Sequence, residues 1–377
     1  MHVAMVLRQF SPFGGLELYA FEVVKGLLSR GIRVTVICEK DDTNFQHENL
    51  AVVKFAGPPS SSNKADKIKH YYQVSNEAVA ENGPFDLVHS QHFPLNCADV
   101  VTFHNHTIHR LGEVGQGWEH ILNQFKTNFT EAYKLREIHD KELCHQARCL
   151  IFPAQVCVED FDRQYGIKDK RIAIAHPGAR ALSTSSGVAD LQNQTFNFLF
   201  VGKGFRKKGL DTLLKASKLL ASKNKNFKLY IAGLRLKPFD KLRLSSMGLT
   251  NHVEYLGFQK DMEAVFRRAS AIILPSRIEP FGMAPIEGML RGLVPIVSKV
   301  CGVAEVLHDE VDALILKNHL DADELAQLMD RLITDPKLVQ RLSQEALKTS
   351  RTLTWDATVE STIAAYNATF TASSLTK

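Results

Sequence analysis

The chain has 377 residues, of which 45% are apolar and 23% charged, and it carries a net charge of +5. That balance is globular, and at roughly 150 residues per domain the length predicts two domains. Collagen-like and low-complexity classes are excluded. No apolar run approaches the roughly 18 to 20 residues of a membrane span, and the opening MHVAMVLRQFSPFGG lacks the basic start of a secretion signal.

The positive charge is unevenly placed. Thirteen basic and two acidic residues fall between Lys203 and Arg243, so the rest of the chain is net acidic. An anion is therefore expected near that stretch. The six cysteines, at 38, 97, 144, 149, 157 and 301, form no CxxC pair. They read as free thiols of a reducing cytosol.

Short apolar runs alternate with helical segments, which predicts an α/β fold with parallel sheets. His2–Leu7 reads as a buried strand and Ser11–Gly15 as a turn. Leu16–Ser29 reads as a helix closed by Gly31, and Arg33–Cys38 as the next strand. Further strands are predicted at Val52–Phe55, Asp86–Ser90, Asp99–Phe103, Cys149–Pro153 and Arg171–Ala175, with helices at Asn63–Glu81, Trp118–Cys144 and Gln155–Tyr165. His176–Leu191, rich in Gly, Ser and Ala, reads as an interdomain linker. The pattern then restarts. Strands are predicted at Phe196–Val201, Lys228–Ala232, Val253–Leu256, Ala271–Pro275 and Val294–Ser298. Helices are predicted at Leu210–Ser222, from about Gly282 to Arg291, at Asp321–Thr334, at Pro336–Ser350 and from about Trp355 to Phe370.

Three loops can carry chemistry. Phe13-Gly14-Gly15-Leu16-Glu17 joins the first strand to the first helix. It is either a tight turn or a place where free helix N–H groups meet an anion. Gly202-Lys203-Gly204-Phe205-Arg206-Lys207-Lys208-Gly209 lies at a second strand-to-helix junction. It lacks the Lys-Ser ending of a phosphate-binding P-loop, so an ATPase is not expected. Four cations in six residues suit either a diphosphate or a solvated basic loop. The third and most specific is Pro275-Ser276-Arg277-Ile278-Glu279-Pro280-Phe281-Gly282-Met283-Ala284-Pro285-Ile286-Glu287. It puts one carboxylate on a loop and one a turn and a half into a helix, near the carboxyl end of a parallel sheet. Open α/β sheets bind ligands there, and paired carboxylates accept polyol hydroxyls. Two Asp-x-Asp strings, Asp160–Asp162 and Asp321–Asp323, fall on predicted surface helices and are read as ordinary helix acids rather than metal ligands.

EPFGMAPIEGMLRGLVPIV followed by CGVAEVL resembles the retaining GT-B glycosyltransferases of family 4, which use nucleotide-sugar donors. The resemblance covers nearly the whole chain, and FSPFGGL is especially similar to lipopolysaccharide core glucosyltransferases. It implies two Rossmann-like domains facing across a cleft. Residues 1–178 would be the acceptor side, with the C-terminal helix 355–377 packing back on it, and residues 179–354 the donor side. His176, Ala179 and Cys301-Gly302 depart from the family pattern without removing a donor contact.

The resemblance also implies roles. Glu287 would bind the ribose hydroxyls. Glu279 would lie near the donor sugar, with the amides of Phe281, Gly282 and Met283 and with Ala284 close by. Lys208, with Lys203, Arg206 or Lys207, would neutralise the departing diphosphate, and Gly14-Gly15 would bring an amide to it. Gly233 and Phe258 mark the loops expected against the nucleobase. His104 is the residue expected to touch the donor sugar, with Asn105 and His106 as neighbours that a register error would substitute; these and Glu17 belong to the acceptor side. His104, Lys208 and Glu279 are thus the expected catalytic residues.

The reaction expected is transfer of a hexose, with UDP-glucose as donor, to a sugar or glycolipid hydroxyl with retention at the anomeric carbon. No metal or other cofactor is expected, because cations already stand near the diphosphate. A nucleotide-sugar 2-epimerase of the same fold is the rival reading. Nucleic acid is not an expected partner, because the basic stretch lacks interleaved stacking aromatics. The resemblance places the protein in the cytoplasm, with a peripheral contact to the inner membrane face through Trp118, Ile121, Leu122 and Phe125.

Overall fold

The computed structural model describes residues 1–114, 118–179 and 195–373. In chain order the elements are β1 (His2–Val6), β2 (Gln9–Phe10), α1 (Leu16–Ser29), β3 (Arg33–Cys38), β4 (Lys40–Asp41), β5 (Leu50–Lys54), α2 (Lys64–Asn82), β6 (Leu87–Ser90) and β7 (Val100–Thr102). There follow α3 (Ile108–Gly112), α4 (Trp118–Phe129), α5 (Glu131–Gln146), β8 (Cys149–Phe152), α6 (Gln155–Tyr165), β9 (Arg171–Ile174), β10 (Phe196–Val201), α7 (Leu210–Ser222) and β11 (Phe227–Ala232). The chain ends with α8 (Pro238–Ser246), β12 (Val253–Gly257), α9 (Met262–Phe266), β13 (Ala271–Leu274), α10 (Met283–Met289), β14 (Val294–Ser298), β15 (Leu314–Leu316), α11 (Ala322–Thr334), α12 (Pro336–Ser350) and α13 (Trp355–Ser373), with a 3-10 turn at Gly302–Val306 before β15. The elements form two compact units, Met1–Gly178 with Trp355–Lys377, and Ala179–Thr354. Most of the predicted linker, residues 180–191, lies outside the described residues, as does the side chain of Trp118.

The first unit is a seven-stranded sheet in the order β5-β3-β1-β6-β7-β8-β9, with every pair parallel. Side chains alternate across a strand, and β1 shows this directly. Val3 and Met5 join Tyr19, Val23 and Leu27 of α1 and Ala365 and Tyr366 of α13 in one core. Ala4 and Val6 join Tyr71 and Val79 of α2, Leu143 of α5 and Phe161 of α6 in the other. Covering both faces requires apolar residues at consecutive positions, which is why Val3 to Leu7 are all fully buried. A Cβ on Gly26 of α1 would come within 2.3 Å of Val359 of α13, so glycine there lets the two helices approach.

The predicted helix Trp118–Cys144 is two helices. Thr130 takes an extended conformation (ψ 126°) between α4 and α5. The apolar residues of α4 (Ile121, Leu122, Phe125 and Phe129) stay exposed, while Ala132, Leu143 and Cys144 of α5 are buried. The two segments therefore answer to different surroundings, and a continuous periodicity concealed the break.

The second unit is a six-stranded parallel sheet in the order β12-β11-β10-β13-β14-β15. Helices α7, α11 and α12 cover one face through Leu213, Leu325, Met329 and Leu342. Val265 and Phe266 of α9, with Leu293, cover the other. Asp321 caps α11 by accepting from the N–H groups of Asp323 and Glu324 at 2.9 Å, so this Asp-x-Asp string is a helix start. All six cysteines are free.

Candidate active site

In the second sheet β10 lies between β11 and β13, so the strand order reverses between β10 and β13. Loops leaving the carboxyl ends of two such strands diverge and leave room for a ligand. Here those loops are 202–209 and 275–282, the two that the sequence marked. They touch through backbone. Gly209 has φ +72°, and a Cβ on it would lie 1.9 Å from the Pro275 carbonyl oxygen. The Arg277 N–H donates to the Lys207 carbonyl at 3.0 Å. The buried guanidinium of Arg277 pairs with Asp211 in the first turn of α7, an interaction that sequence reasoning missed.

Held this way, the Lys208 ammonium forms an ion pair with the Glu279 carboxylate. Glu279 is only 8% exposed. Ser276 Oγ donates to it at 3.4 Å, and its own carbonyl accepts from the Gly302 N–H at 3.1 Å. Glu279 also bridges to Cys301, whose thiol is pushed up to about 12 by burial and by the nearby Glu279 charge. The Cys301-Gly302 departure is therefore an inert, buried support for the acid loop. Phe281 is buried, and its carbonyl accepts from the Val303 N–H at 2.8 Å. Gly282, with φ +101°, turns the chain into α10, which opens with half-buried Met283 and Ala284. Glu287 is the fifth residue of α10 and is half-buried.

The neighbouring loops close the same end of the sheet. The Gly202 N–H donates to the Ala232 carbonyl at 3.0 Å, and the Gly233 N–H to the Gly257 carbonyl at 2.7 Å. Phe258 follows and is 66% exposed. Lys203 and Arg206 are exposed on the loop after β10, while Lys207 and Lys208 are half-buried. The structure thus gathers Lys203, Arg206, Lys207, Lys208, Gly233, Phe258, Glu279, Phe281, Gly282, Met283, Ala284 and Glu287 around the carboxyl ends of one sheet.

The first unit has its own group. Gly14 (φ +108°) and Gly15 precede α1, and the Glu17 carboxylate folds over Gly14, occupying the space a Cβ there would need. His104 Nε2 donates to Gln91 Oε1 at 2.7 Å, and the ring meets Tyr19 edge-on. Gln91 Nε2 contacts His89 Nε2 at 3.3 Å. His89 also bonds Thr102 Oγ1 at 2.8 Å and the Tyr366 hydroxyl at 2.6 Å. His92, at φ +53°, accepts from the His104 N–H through Nδ1 at 3.3 Å and reaches Asp140 through Nε2 at 3.0 Å. Desolvation, helped by His92 and His89, holds the His104 pKa well below its ordinary value, so His104 is a neutral imidazole. Burial pushes His89 down to about 3. The signal for this network was a run of His, Gln and His at the end of a buried strand.

Two expectations change here. Asp160 is not a surface acid: it is 6% exposed and accepts from the Thr107 N–H at 2.9 Å, from the Thr107 hydroxyl at 3.1 Å and from His106 Nδ1 at 3.0 Å. Burial alone would raise its pKa, but these bonds outweigh burial and lower it. His106 is correspondingly 3% exposed, which leaves His104 and Asn105 as the partly accessible members of the trio. Among the described residues no group of three or more His, Cys, Asp or Glu is placed to hold a metal ion.

Comparison with known proteins agrees with this architecture. The glycosyl transferases group 1 family matches residues 186–349, and Glycosyltransferase Family 4 matches residues 13–180. A D-inositol 3-phosphate glycosyltransferase of Thermobifida fusca is 24% identical over 94% of this chain and 88% of its own. The fold is shared with WaaG, a glycosyltransferase involved in lipopolysaccharide biosynthesis, at a TM-score of 0.78 and 19% identity, covering 96% of this chain and 98% of that one. It is also shared with Anabaena Alr3699/HepE in complex with UDP-glucose, at a TM-score of 0.69 and 16% identity, covering 98% of this chain and all of that one.

Proposed function

The chain belongs to the family 4 type of GT-B glycosyltransferases, and from that premise we propose that it moves a hexose, with UDP-glucose as donor, to a hydroxyl acceptor in polysaccharide, lipopolysaccharide or glycolipid assembly, with retention at the anomeric carbon. The observation that carries the reading is the Lys208–Glu279 pair, set where the second sheet reverses its strand order. The UDP-glucose complex of the structurally similar HepE supports the choice of donor.

In this reading the glycosidic C–O bond to the diphosphate breaks as the acceptor oxygen bonds to the anomeric carbon on the same face. The diphosphate leaves with the bonding electrons and takes the acceptor proton. Negative charge grows on the leaving group, so cations fixed in advance lower the barrier. Lys208 is fixed by Glu279, while Lys203, Arg206 and Lys207 add charge along the same loop. These cations take the place of a metal ion. Glu279 also accepts hydroxyl hydrogen bonds from the hexose, and Glu287 accepts them from the ribose. Neutral His104 serves as a hydrogen-bond partner of the sugar rather than as a charged acid. In the first unit, Gly15 and Glu17 serve the same reaction. The exposed face of α4 is consistent with peripheral contact to a membrane, and among the described residues no helix is long and apolar enough to cross one.

Glu287→Ala should lower UDP-glucose affinity at least tenfold, as loss of a charged hydrogen bond does. Titration calorimetry with UDP-glucose checks this, and an unchanged affinity would sink the assignment. UDP-N-acetylglucosamine incubated without acceptor should remain unconverted; its epimerisation would select the 2-epimerase instead.

A further inference from the structure

The strand order of the first sheet reverses between β1 and β6, so the loops leaving these two strands diverge at their carboxyl ends. The residue that follows β6 is Gln91, and it is 1% exposed. A side chain so buried touches no ligand, yet its amide links His104 to the core. Gln91 Nε2 lies 3.0 Å from Met5 Sδ and 3.3 Å from His89 Nε2, while Oε1 lies 2.7 Å from His104 Nε2. A thioether accepts hydrogen bonds and never donates them, so the amide nitrogen faces Met5 and the amide oxygen faces His104. The rest of the network agrees. His89 is a neutral imidazole with one lone pair and one proton. Its Nε2 accepts from Gln91, and its Nδ1–H donates to the Tyr366 hydroxyl at 2.6 Å.

An oxygen opposite His104 Nε2 decides the tautomer of that ring. Nε2 carries the proton in order to donate, and because the imidazole is neutral, Nδ1 carries the lone pair. His104 Nδ1 has no hydrogen-bond partner among the described residues, and the residue is half-buried. The ring is wedged edge-on against buried Tyr19. Its backbone is held as well. His92 Nδ1 accepts from the His104 N–H at 3.3 Å, and His92 Nε2 donates to buried Asp140 at 3.0 Å. Consecutive side chains of an extended strand point to opposite faces. The left-handed backbone of His92, at φ +53°, breaks that alternation and lets Gln91 and His92 meet the same residue. Such a conformation is unfavourable for a residue other than glycine and collects at functional sites.

We propose that Gln91 is a positioning residue that locks His104 in its Nε2–H tautomer, so that Nδ1 accepts a hydrogen bond from a hydroxyl of the donor hexose. The sugar contact rests on the glycosyltransferase reading above. The tautomer rests on Met5, Gln91 and His89 alone. A proton on Nδ1 instead would set two acceptors, Gln91 Oε1 and the Nε2 lone pair, against each other in a buried place. The lock therefore fixes the direction of the bond. The sugar hydroxyl donates to His104, and its own lone pairs stay available to a second donor.

Nitrogen-15 histidine spectra of the full chain read the tautomer, because a lone-pair nitrogen resonates well downfield of an N–H nitrogen. The signals lost in His104→Gln assign the ring. In the parent, His104 should carry its proton on Nε2. UDP-glucose should shift the Nδ1 signal upfield, whereas UDP should leave it in place. Gln91→Met keeps the bulk of the side chain and removes the acceptor. It should lose the Nε2–H signature and bind UDP-glucose at least fivefold more weakly in titration calorimetry, with UDP affinity and circular dichroism unchanged. A parent proton on Nδ1 would overturn the proposal whether or not that variant folds. So would a folded Gln91→Met protein that keeps either the signature or the affinity, or an Nδ1 signal that ignores bound UDP-glucose. Failure of UDP-glucose to bind the parent refutes the donor reading and the sugar contact with it, while the tautomer of the free protein still decides the role of Gln91.

Discussion

His89 and His104 are held neutral by their surroundings, and the consequence is a dependence of stability on pH. A histidine whose folded pKa lies below its unfolded value of about 6.5 takes up its proton on unfolding. Its contribution is therefore complete above pH 6.5 and is lost as the pH falls below that value, at about 1.4 kcal/mol per pH unit. For His89 the loss continues down to about pH 3. Urea unfolding between pH 7 and pH 5 should show this slope, and His89→Gln should flatten it by up to about 1.4 kcal/mol per unit. An unchanged slope would mean that His89 is not the buried neutral group described. The same neutrality means that His104 titration should add no inflection near pH 6.5 to the rate profile.

At the scale of elements, the turn after β7 is fixed by α6. The Asp160 carboxylate ties that helix to His106 and Thr107, and Thr107 in turn caps α3 by accepting from the Arg110 N–H at 3.2 Å. Asp160→Ala would leave buried donors without an acceptor, so a loss of about 2 to 4 kcal/mol is expected in chemical denaturation. Asp160→Asn keeps one acceptor oxygen and should cost less. Equal stability of the alanine variant and the parent would show that the turn holds itself. The acid was misjudged because Asp160 and Asp162 look alike in sequence, and helical phase alone does not reveal which side another element will cover.

At the scale of the whole molecule, the cations and both acids that we propose hold the donor belong to Ala179–Thr354. UDP at about 100 times its dissociation constant should therefore stabilise that unit by about 2.7 kcal/mol. Amide exchange in β10 and β13, which carry the two loops, should slow accordingly. Exchange there that ignores UDP would place the nucleotide elsewhere. The first unit takes its last helix from the far end of the chain. Tyr366 of α13 lies in its core and bonds His89, so truncation before Trp355 would remove part of that core.

Sequence alone determined the alternation of strands and helices, the two successive sheets and the loop residues from Lys203 to Gly209 and Glu279 to Glu287. Those features are local: consecutive apolar residues in strands buried on both faces, glycines where a backbone turns sharply, and charges crowded into a strand-to-helix junction. The tertiary structure decided the rest. The Lys208–Glu279 and Arg277–Asp211 pairs join residues some 70 positions apart, and the His104–Gln91–His89–Tyr366 chain joins residues from three elements or their ends. No spacing rule brings such groups together, because the partner of a buried polar group is set by which elements pack, and packing is a property of the folded chain.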